Sequence, residues 1–449
     1  MRKLILLPAL LFVHITFAQT VPALNTAKLD SLFSIIASKN KGMVSVAIMQ
    51  DGKPVYSKAV GYSQISPAGN TPATTDTRYR IGSISKMFTG VMIFQLIQEG
   101  KLSLSTPLAK FYPELPNAAK ITIGNLLNHS SGLFNFTSAP GFINKVEQSF
   151  THEEALASFN VKPVFEPGAK HEYSNTNFVL LGYIIEKLDK KTYAEAVKKR
   201  ITDKIGLKNT YYGGKITPAN KEATSYQWTG SWAPISETNM SIPAGAGAMV
   251  STPGDLTIFL NALFNGKLIN ETSLSKMKTL EENYGMAMFM RQFGEKQGFG
   301  HNGGIDAFQS NALYYPEDKL AVALIGNGFT IPVSEIWTGM MSIYYNKPYT
   351  IPTYETYVVK AEELDQYLGV YSSPQFPLKV TITKKDATLF AQASGPGQGL
   401  LPLEPSKAGE FKVKALNVTL NFDPAKGEMA FEQNGAGAVL KRETAPPAQ

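Results

Sequence analysis

Ser83 and Lys86 stand three residues apart in Arg80-Ile81-Gly82-Ser83-Ile84-Ser85-Lys86-Met87-Phe88-Thr89-Gly90. The apolar run Val91 to Ile97 follows, and Gly100 closes it, so the stretch predicts a helix of about four turns. Ser83 is expected in the first turn and Lys86 one turn on. Residues i and i+3 share a helix face, so the amine can reach the hydroxyl. The positive potential of a helix N-terminus favours an oxyanion there. A buried lysine beside a serine is one way to activate a weak nucleophile. The same spacing recurs at Ser38–Lys41, Ser273–Lys276 and Ser275–Lys278, so the surroundings must single out Ser83.

Further stretches could join it. Phe165-Glu166-Pro167-Gly168 reads as a turn, and Tyr173-Ser174-Asn175 stands just before an apolar helix, where polar side chains often face a cleft. The structural alternative is that Ser174, Asn175 and Asn177 only cap that helix. Gly298-Phe299-Gly300-His301-Asn302-Gly303 formally matches the Gly-x-Gly-x-x-Gly dinucleotide pattern. A strand, Ile305 to Tyr314, follows instead of a helix, so the helix-dipole cradle for a pyrophosphate is missing. Glycine beside a strand edge instead lets another backbone approach closely. His129-Ser130-Ser131-Gly132-Leu133 reads as a helix end closed by glycine. No Gly-x-Ser-x-Gly elbow and no His-Glu-x-x-His occur, and His129, His152, His171 and His301 are too dispersed to argue for zinc.

Taken together, Ser83-Ile84-Ser85-Lys86, Tyr173-Ser174-Asn175 and His301-Asn302-Gly303 resemble, in order and spacing, the Ser-x-x-Lys, Tyr-x-Asn and Lys-or-His-x-Gly motifs of the penicillin-recognising serine hydrolases. These are class C β-lactamases, DD-carboxypeptidases, D-aminopeptidases and esterases of the same fold. The flanks Ile123 to Leu133 and Gly247 to Thr252 are also similar, and the resemblance covers roughly residues 26–346. It implies an acyl-enzyme on Ser83, with Lys86 and Tyr173 sharing the proton work. A cationic neighbour should then lower the tyrosine pKa. Asn175 would orient the substrate amide, and His301 and Gly303 would bind substrate. The backbone N–H groups of Ser83 and Gly304 would form the oxyanion hole, and no metal or cofactor is implied. Histidine at 301, where many β-lactamases have lysine, titrates near neutrality, so activity is expected to follow its ionisation. The resemblance points first to a DD-carboxypeptidase-like or D-amino-acid peptide hydrolase, with peptidoglycan stem peptides among its substrates. An esterase or weak β-lactamase is the second reading. The third is a penicillin-binding envelope protein with negligible turnover.

These residues need elements to hold them. Leu29, Leu32, Phe33 and Ile36 predict a helix over 26–39, and strands follow at 43–49 and 54–60 around the turn Asp51-Gly52. Helices and long loops fill the chain to about residue 290, with helix candidates at 121–127, 177–188 and 256–264. Strands return at 305–314 and 319–326 around Pro316-Glu317-Asp318, then a helix at 336–345. Such a sheet would be antiparallel, with its two ends meeting in space. The expected class is α+β: an αβα sandwich with a central antiparallel sheet and an inserted all-helical subdomain. A linker is placed at 347–361. Short alternating stretches at 378–383, 388–393, 411–416, 418–422, 429–433 and 438–441 then predict a small all-β barrel over 362–444. The barrel resembles the lipocalin-like domains attached to some members of the family, and 445–449 reads as a loose tail.

Composition narrows the class. The 449 residues are 43% hydrophobic and 18% charged, ordinary for a globular chain. Arg2 and Lys3 before the run Leu4 to Phe17 predict a secretory signal peptide over 1–18, cut after Ala18, ahead of a hydrolase region at 19–346. No other stretch is long and apolar enough to span a bilayer, so an exported, periplasmic or extracellular chain is expected. Removing the leader takes the formal net charge from +7 to +5. The charge is dispersed, which excludes nucleic acid as a good candidate and leaves a small-molecule or peptide substrate as the expected partner. The absence of cysteine excludes disulfides and thiolate chemistry.

Overall fold

The computed structural model describes residues 24–443 except 283, 355–356, 358, 396–398 and 414–415. The expected signal peptide and tail lie outside the described residues. Helix α1 (Thr26–Ser38) leads into β1 (Gly42–Gln50) and β2 (Lys53–Val60). The sheet is completed from the far end of the chain by β3 (Phe289–Phe293), β4 (Lys296–Ile305), β5 (Phe308–Tyr315) and β6 (Leu320–Phe329). The order is β3-β4-β5-β6-β1-β2, antiparallel throughout, with Val46 opposite Leu324 and Ala47 opposite Ala323.

Strand alternation builds a different core on each side of this sheet. Val44, Val46, Ile48, Leu320, Val322 and Leu324 face α1 and the C-terminal helix α7 (Val333–Tyr344, numbered in chain order). Ala321, Ala323 and Ile325 point the other way, into the larger core of the inserted helices. That core holds α2 (Ser85–Gln98), α3 (Ile123–Leu127), α4 (Asn175–Asp189), α5 (Ala244–Gly247) and α6 (Pro253–Phe264). Phe88 of α2 stacks on Phe259 of α6, ring centroids 4.0 Å apart. The αβα arrangement read from the sequence is therefore present. Among the described residues, no helix is long and apolar enough to cross a membrane.

Some elements differ from expectation. The strand expected over 305–314 starts only at Phe308, because Asp306 takes a left-handed conformation (φ 54°) and turns the chain after Ile305, the last residue of β4. Strand β4 carries Gly298, Gly300, Gly303 and Gly304, which erase the side-chain alternation by which a strand is recognised. Helix α2 starts at Ser85, and a 3-10 turn over Gly82–Ile84 precedes it, so Ser83 lies in the turn and not in the first α-helical turn.

Beyond residue 368 eight strands close a barrel: Gly369–Ser373, Phe376–Lys385, Thr388–Ala393, Leu401–Lys407, Glu410–Val413, Val418–Asp423, Glu428–Gln433 and Ala436–Arg442. The sequence reading had six of these stretches. Its interior is filled by side chains, Tyr371, Phe411, Leu420, Phe422, Met429 and Leu440 among them, and Leu364 and Tyr367 of the preceding turn join this core. Buried Lys41, just before β1, pairs with Glu404 of the barrel at 2.8 Å.

Glycine lets β4 meet the Ser83 turn. A Cβ on Gly303 would lie 2.0 Å from the Ile81 carbonyl, and one on Gly82 would lie 2.8 Å from Gly304 N. Gly303→Ala is therefore expected to push the turn off the strand and cost about 2 kcal/mol or more. Gly254→Ala is the control: it sits at the start of α6, where an added Cβ meets nothing closer than 3.9 Å. Thermal melting of both variants checks this, and an unchanged melting temperature for Gly303→Ala would contradict the close approach.

Candidate active site

The Ser83 turn is held from three directions. Ser85 Oγ donates to the Gly82 carbonyl (2.7 Å) and accepts from Met249 N–H (3.0 Å), locking the turn to its neighbour strand Met249–Ser251. Ser310 Oγ donates to the Ile81 carbonyl at 2.9 Å, tying the turn to β5. Buried Arg80 bonds Asp306 (2.8 Å) and Glu237 (2.6 Å), fastening the tip of the β4–β5 hairpin to the residue at which the turn begins. Thr238 also bonds Asp306, through both its N–H and its hydroxyl.

Lys86 is fully buried on α2, and its Nζ lies 3.0 Å from Ser83 Oγ, 2.8 Å from Asn175 Oδ1 and 2.9 Å from the Ala246 carbonyl. No carboxylate is among these partners. Burial alone therefore pushes the amine well below the ordinary lysine range. In the neutral form its two N–H bonds go to Asn175 and Ala246, two groups that can only accept at those atoms. The lone pair is left for the Ser83 hydroxyl. The Ala246 carbonyl reaches this position because α4 and α5 touch through glycine: a Cβ on Gly245 would meet the Phe178 carbonyl at 2.7 Å.

Tyr173 Oη donates to Ser83 Oγ at 2.8 Å, and the Lys86 amine lies 4.8 Å from the centre of the tyrosine ring. The tyrosine is 36% exposed at the site mouth. The expectation that a lysine cation would lower its pKa is not met. Burial pushes the phenol up, with the Ser83 hydrogen bond acting the other way. Asn175 Oδ1 accepts from Lys86, and Nδ2 gives one of its two N–H bonds to Thr137 Oγ1 (3.3 Å), so the side chain fixes the lysine.

Strand β3 covers only residues 296–300 of β4, leaving 301–305 as an open edge. The two-residue loop Gly294–Glu295 makes Phe293 and Lys296 the hydrogen-bonded closing pair of the hairpin. Alternation then aims the N–H groups of 298, 300, 302 and 304 toward that edge. Gly304 N–H thus faces the cleft beside the Ser83 turn, a geometry suited to an oxyanion.

Behind Tyr173 stand three buried rings. His129 Nδ1 accepts from Ser174 N–H (3.1 Å), its Nε2 lies 3.2 Å from Tyr284 Oη, and Tyr284 Oη lies 3.2 Å from His301 Nε2. His301 Nδ1 meets the Asn302 carbonyl at 2.5 Å. The His129 ring centre is 4.4 Å from that of Tyr173. His129 and Tyr284 were not read from the sequence as site residues. The 129–133 stretch is indeed a chain reversal after α3, with His129 at φ 60°, but it also delivers this ring to the site. Tyr284 belongs to no motif, and no signal in the sequence marks it. His301 is 2% exposed, and burial, with the nearby Lys86 secondary, pushes it down to about 3. The expected titration near neutrality does not fit this environment, and neither ring nitrogen is free for a substrate.

A family model described as Beta-lactamase matches residues 34–337. Penicillin-binding protein 4* of Bacillus subtilis (strain 168) is 24% identical over 449 aligned residues, covering 92% of this chain and 98% of that protein. Teichoic acid D-alanine hydrolase of Staphylococcus aureus is 28% identical over 235 residues, 52% of this chain and 55% of that protein. The crystal structure of D-amino acid amidase from Ochrobactrum anthropi SV3 complexed with L-phenylalanine superposes with a TM-score of 0.63 at 29% identity, covering 72% of this chain and 98% of that one.

The buried histidine has a stability consequence. Below pH 6.5 the unfolded chain takes up a proton at His301 that the folded state refuses until near pH 3, so stability falls as pH falls through that window. The limit of this loss is about 5 kcal/mol. Urea unfolding at pH 7 and pH 4 is expected to show a smaller acid loss in His301→Gln than in the native protein; equal losses would contradict the neutral imidazole.

Proposed function

The chain is a serine hydrolase of the β-lactamase family, and on that premise we propose that it cleaves D-aminoacyl amides, peptides or esters through an acyl-enzyme on Ser83. The observation that carries the proposal is the Lys86 amine, buried without a carboxylate and aimed at Ser83 Oγ while Tyr173 Oη bonds the same oxygen. The relatives support the substrate class: one is named for removing D-alanine from teichoic acid and another for D-amino acid amides. The basic and apolar leader supports an exported enzyme.

In the first half-reaction a bond forms between Ser83 Oγ and the carbonyl carbon while Lys86 Nζ takes the hydroxyl proton. The carbonyl oxygen becomes an oxyanion between the N–H groups of Ser83 and Gly304. The tetrahedral centre collapses, the bond to the leaving nitrogen or oxygen breaks, and Tyr173 Oη supplies its proton. Lys86 keeps the serine proton as an ammonium beside the Tyr173 phenolate, which takes a proton from the incoming water, and Lys86 then gives its own back to Ser83 Oγ. In the second half water adds to the acyl carbon, the same groups carry its protons, and the acid leaves with Ser83 restored. The net change is one water consumed and one acid and one amine or alcohol formed.

Incubation with a penicillin, read by intact mass, tests the nucleophile. The native protein is expected to gain the mass of the drug or to hydrolyse it, and Ser83→Ala to do neither while melting like the native protein. Labelling of Ser83→Ala would sink the assignment. A stable adduct with no turnover of any D-aminoacyl substrate would favour a penicillin-binding protein without hydrolytic function. The pH profile gives a second check. Activity is expected to be lost as pH falls through the depressed Lys86 value and on the alkaline side as Tyr173 ionises. His301→Gln should keep the acid limb where it is; an acid limb that moves in that variant would reinstate histidine titration.

A further inference from the structure

A second pocket, of about 510 Å³, lies away from Ser83 at the far end of α2. Gln95, Gln98 and the helix end at Glu99 form one wall, and Gln95 stands roughly 14 Å along the helix axis from Lys86. The opposite wall includes Lys191 and residues of a π-helical turn, Lys198–Thr202. Such turns are rare and occur frequently at functional sites. Gln95 Nε2 takes up the Arg200 carbonyl of this turn (3.2 Å) together with the Leu268 carbonyl (3.1 Å). Gln95 is 7% exposed, and its Oε1 is buried without a partner. The inner surface of the pocket is therefore polar and suits a polar ligand.

Five cations and two carboxylates line it, and the carboxylates are already paired. Arg200 Nε donates to Asp189 at 2.5 Å, and a terminal guanidinium nitrogen donates to Glu99 at 2.6 Å. Lys101 also pairs with Glu99, at 2.7 Å. Arg200 above all holds the Glu99 carboxyl down to about 2, so this acid stays ionised against its cations. Lys191, Lys199 and Lys204 are left over. All three are exposed, and among the described residues none of them makes an ion pair. Charge that is dispersed along the chain thus gathers around one pocket.

The arrangement selects among anions. A single phosphate is gripped best by an arginine fork or by converging backbone N–H groups. The one arginine in this lining is occupied, and lysine ammoniums act as separate point charges. Three unpaired ammoniums around an open pocket match charges repeated along a chain. No aromatic side chain lines the pocket, so nothing there stacks on a base, which sets nucleic acid aside. We infer that this pocket binds a phosphodiester polymer without bases, a polyol phosphate chain, at a site separate from the Ser83 cleft. Bound there, the polymer holds the protein and leaves the cleft open. The inference does not depend on the acyl-enzyme at Ser83.

Calorimetric titration with a synthetic glycerol phosphate oligomer tests this. The native protein is expected to bind it in low salt and to release it as salt rises. The triple variant Lys191→Gln, Lys199→Gln, Lys204→Gln is expected to bind at least about tenfold more weakly. A control triple, Lys53→Gln, Lys162→Gln, Lys385→Gln, removes the same charge from exposed lysines elsewhere and is expected to bind like the native protein. Melting temperatures show that both variants fold. No binding by the native protein would overturn the inference. So would equal weakening in the two triples, which would leave only net charge as the cause. A glycerol phosphate monomer or inorganic phosphate that binds as tightly as the oligomer would overturn the polymer in favour of a single-phosphate site. Preference for phosphatidylglycerol vesicles would overturn it in favour of lipid headgroups, and tighter binding of polyuridylate in favour of nucleic acid. Failure of Ser83 to take up a penicillin would sink the acyl-enzyme and leave this site standing.

Discussion

A lysine amine without a counter-charge is the constraint around which the structure is organised. Burying an ammonium unpaired costs several kcal/mol even after the protein relaxes, so the group gives up its proton instead. The Lys86 amine, enclosed by the Tyr173 and Phe178 rings and the α5 backbone, is pushed well below the ordinary lysine range in this way. The neutral amine must then be oriented, because a base is useful only when its lone pair meets the proton it will take. Asn175 and the Ala246 carbonyl provide that orientation from two separate helices, α4 and α5. The packing of those helices through Gly182 and Gly245 is thus part of the chemistry and not only of the core.

The second requirement is closeness of main chain to main chain. An oxyanion needs two N–H groups converging on a single point, and side chains at either would hold them apart. Gly82 and Gly303 remove that obstacle where the serine turn crosses β4. Arg80 and Asp306 then pin the crossing from below with an ion pair that is 2% exposed on both sides. Breaking either partner would leave a buried charge, so the pair acts as a register mark for the hairpin more than as a source of net stability.

Much of this was legible in the sequence, and the illegible parts have physical reasons. Ser83, Lys86, Tyr173 and His301 could be found because their chemistry depends on spacings that survive in one dimension. The αβα layers followed from helical and strand periodicities at the two ends of the hydrolase region. Strand β4 was hidden because glycine has no side chain with which to show alternation. The barrel strands Gly369–Ser373 and Leu401–Lys407 were missed for related reasons: Pro402 and Pro405 interrupt the second, and proline speaks against a strand. His129 and Tyr284 escaped notice because their meaning is entirely three-dimensional. Each is an ordinary residue beside an ordinary turn until residues 129, 173, 284 and 301 are brought together. Burial, which no motif encodes, also decided the ionisation of His301 and Tyr173 against the readings drawn from free amino-acid behaviour.

The central pairing of β1 with β6 joins residues from opposite ends of the hydrolase region, as Val46 with Leu324. Contacts so distant in sequence carry a large loop-closure cost and form late. Strand β4, against which the nucleophile turn packs, is among the last parts of this region to be synthesised. A growing chain therefore holds Ser83 and Lys86 long before it holds the surface that makes them reactive. Lys86 in that interval is a hydrated, charged side chain like any other, and Ser83 an ordinary alcohol. The order of the strands along the chain acts as a timer: reactivity toward acyl donors arises only when nearly the whole hydrolase region has been made and has collapsed around the amine.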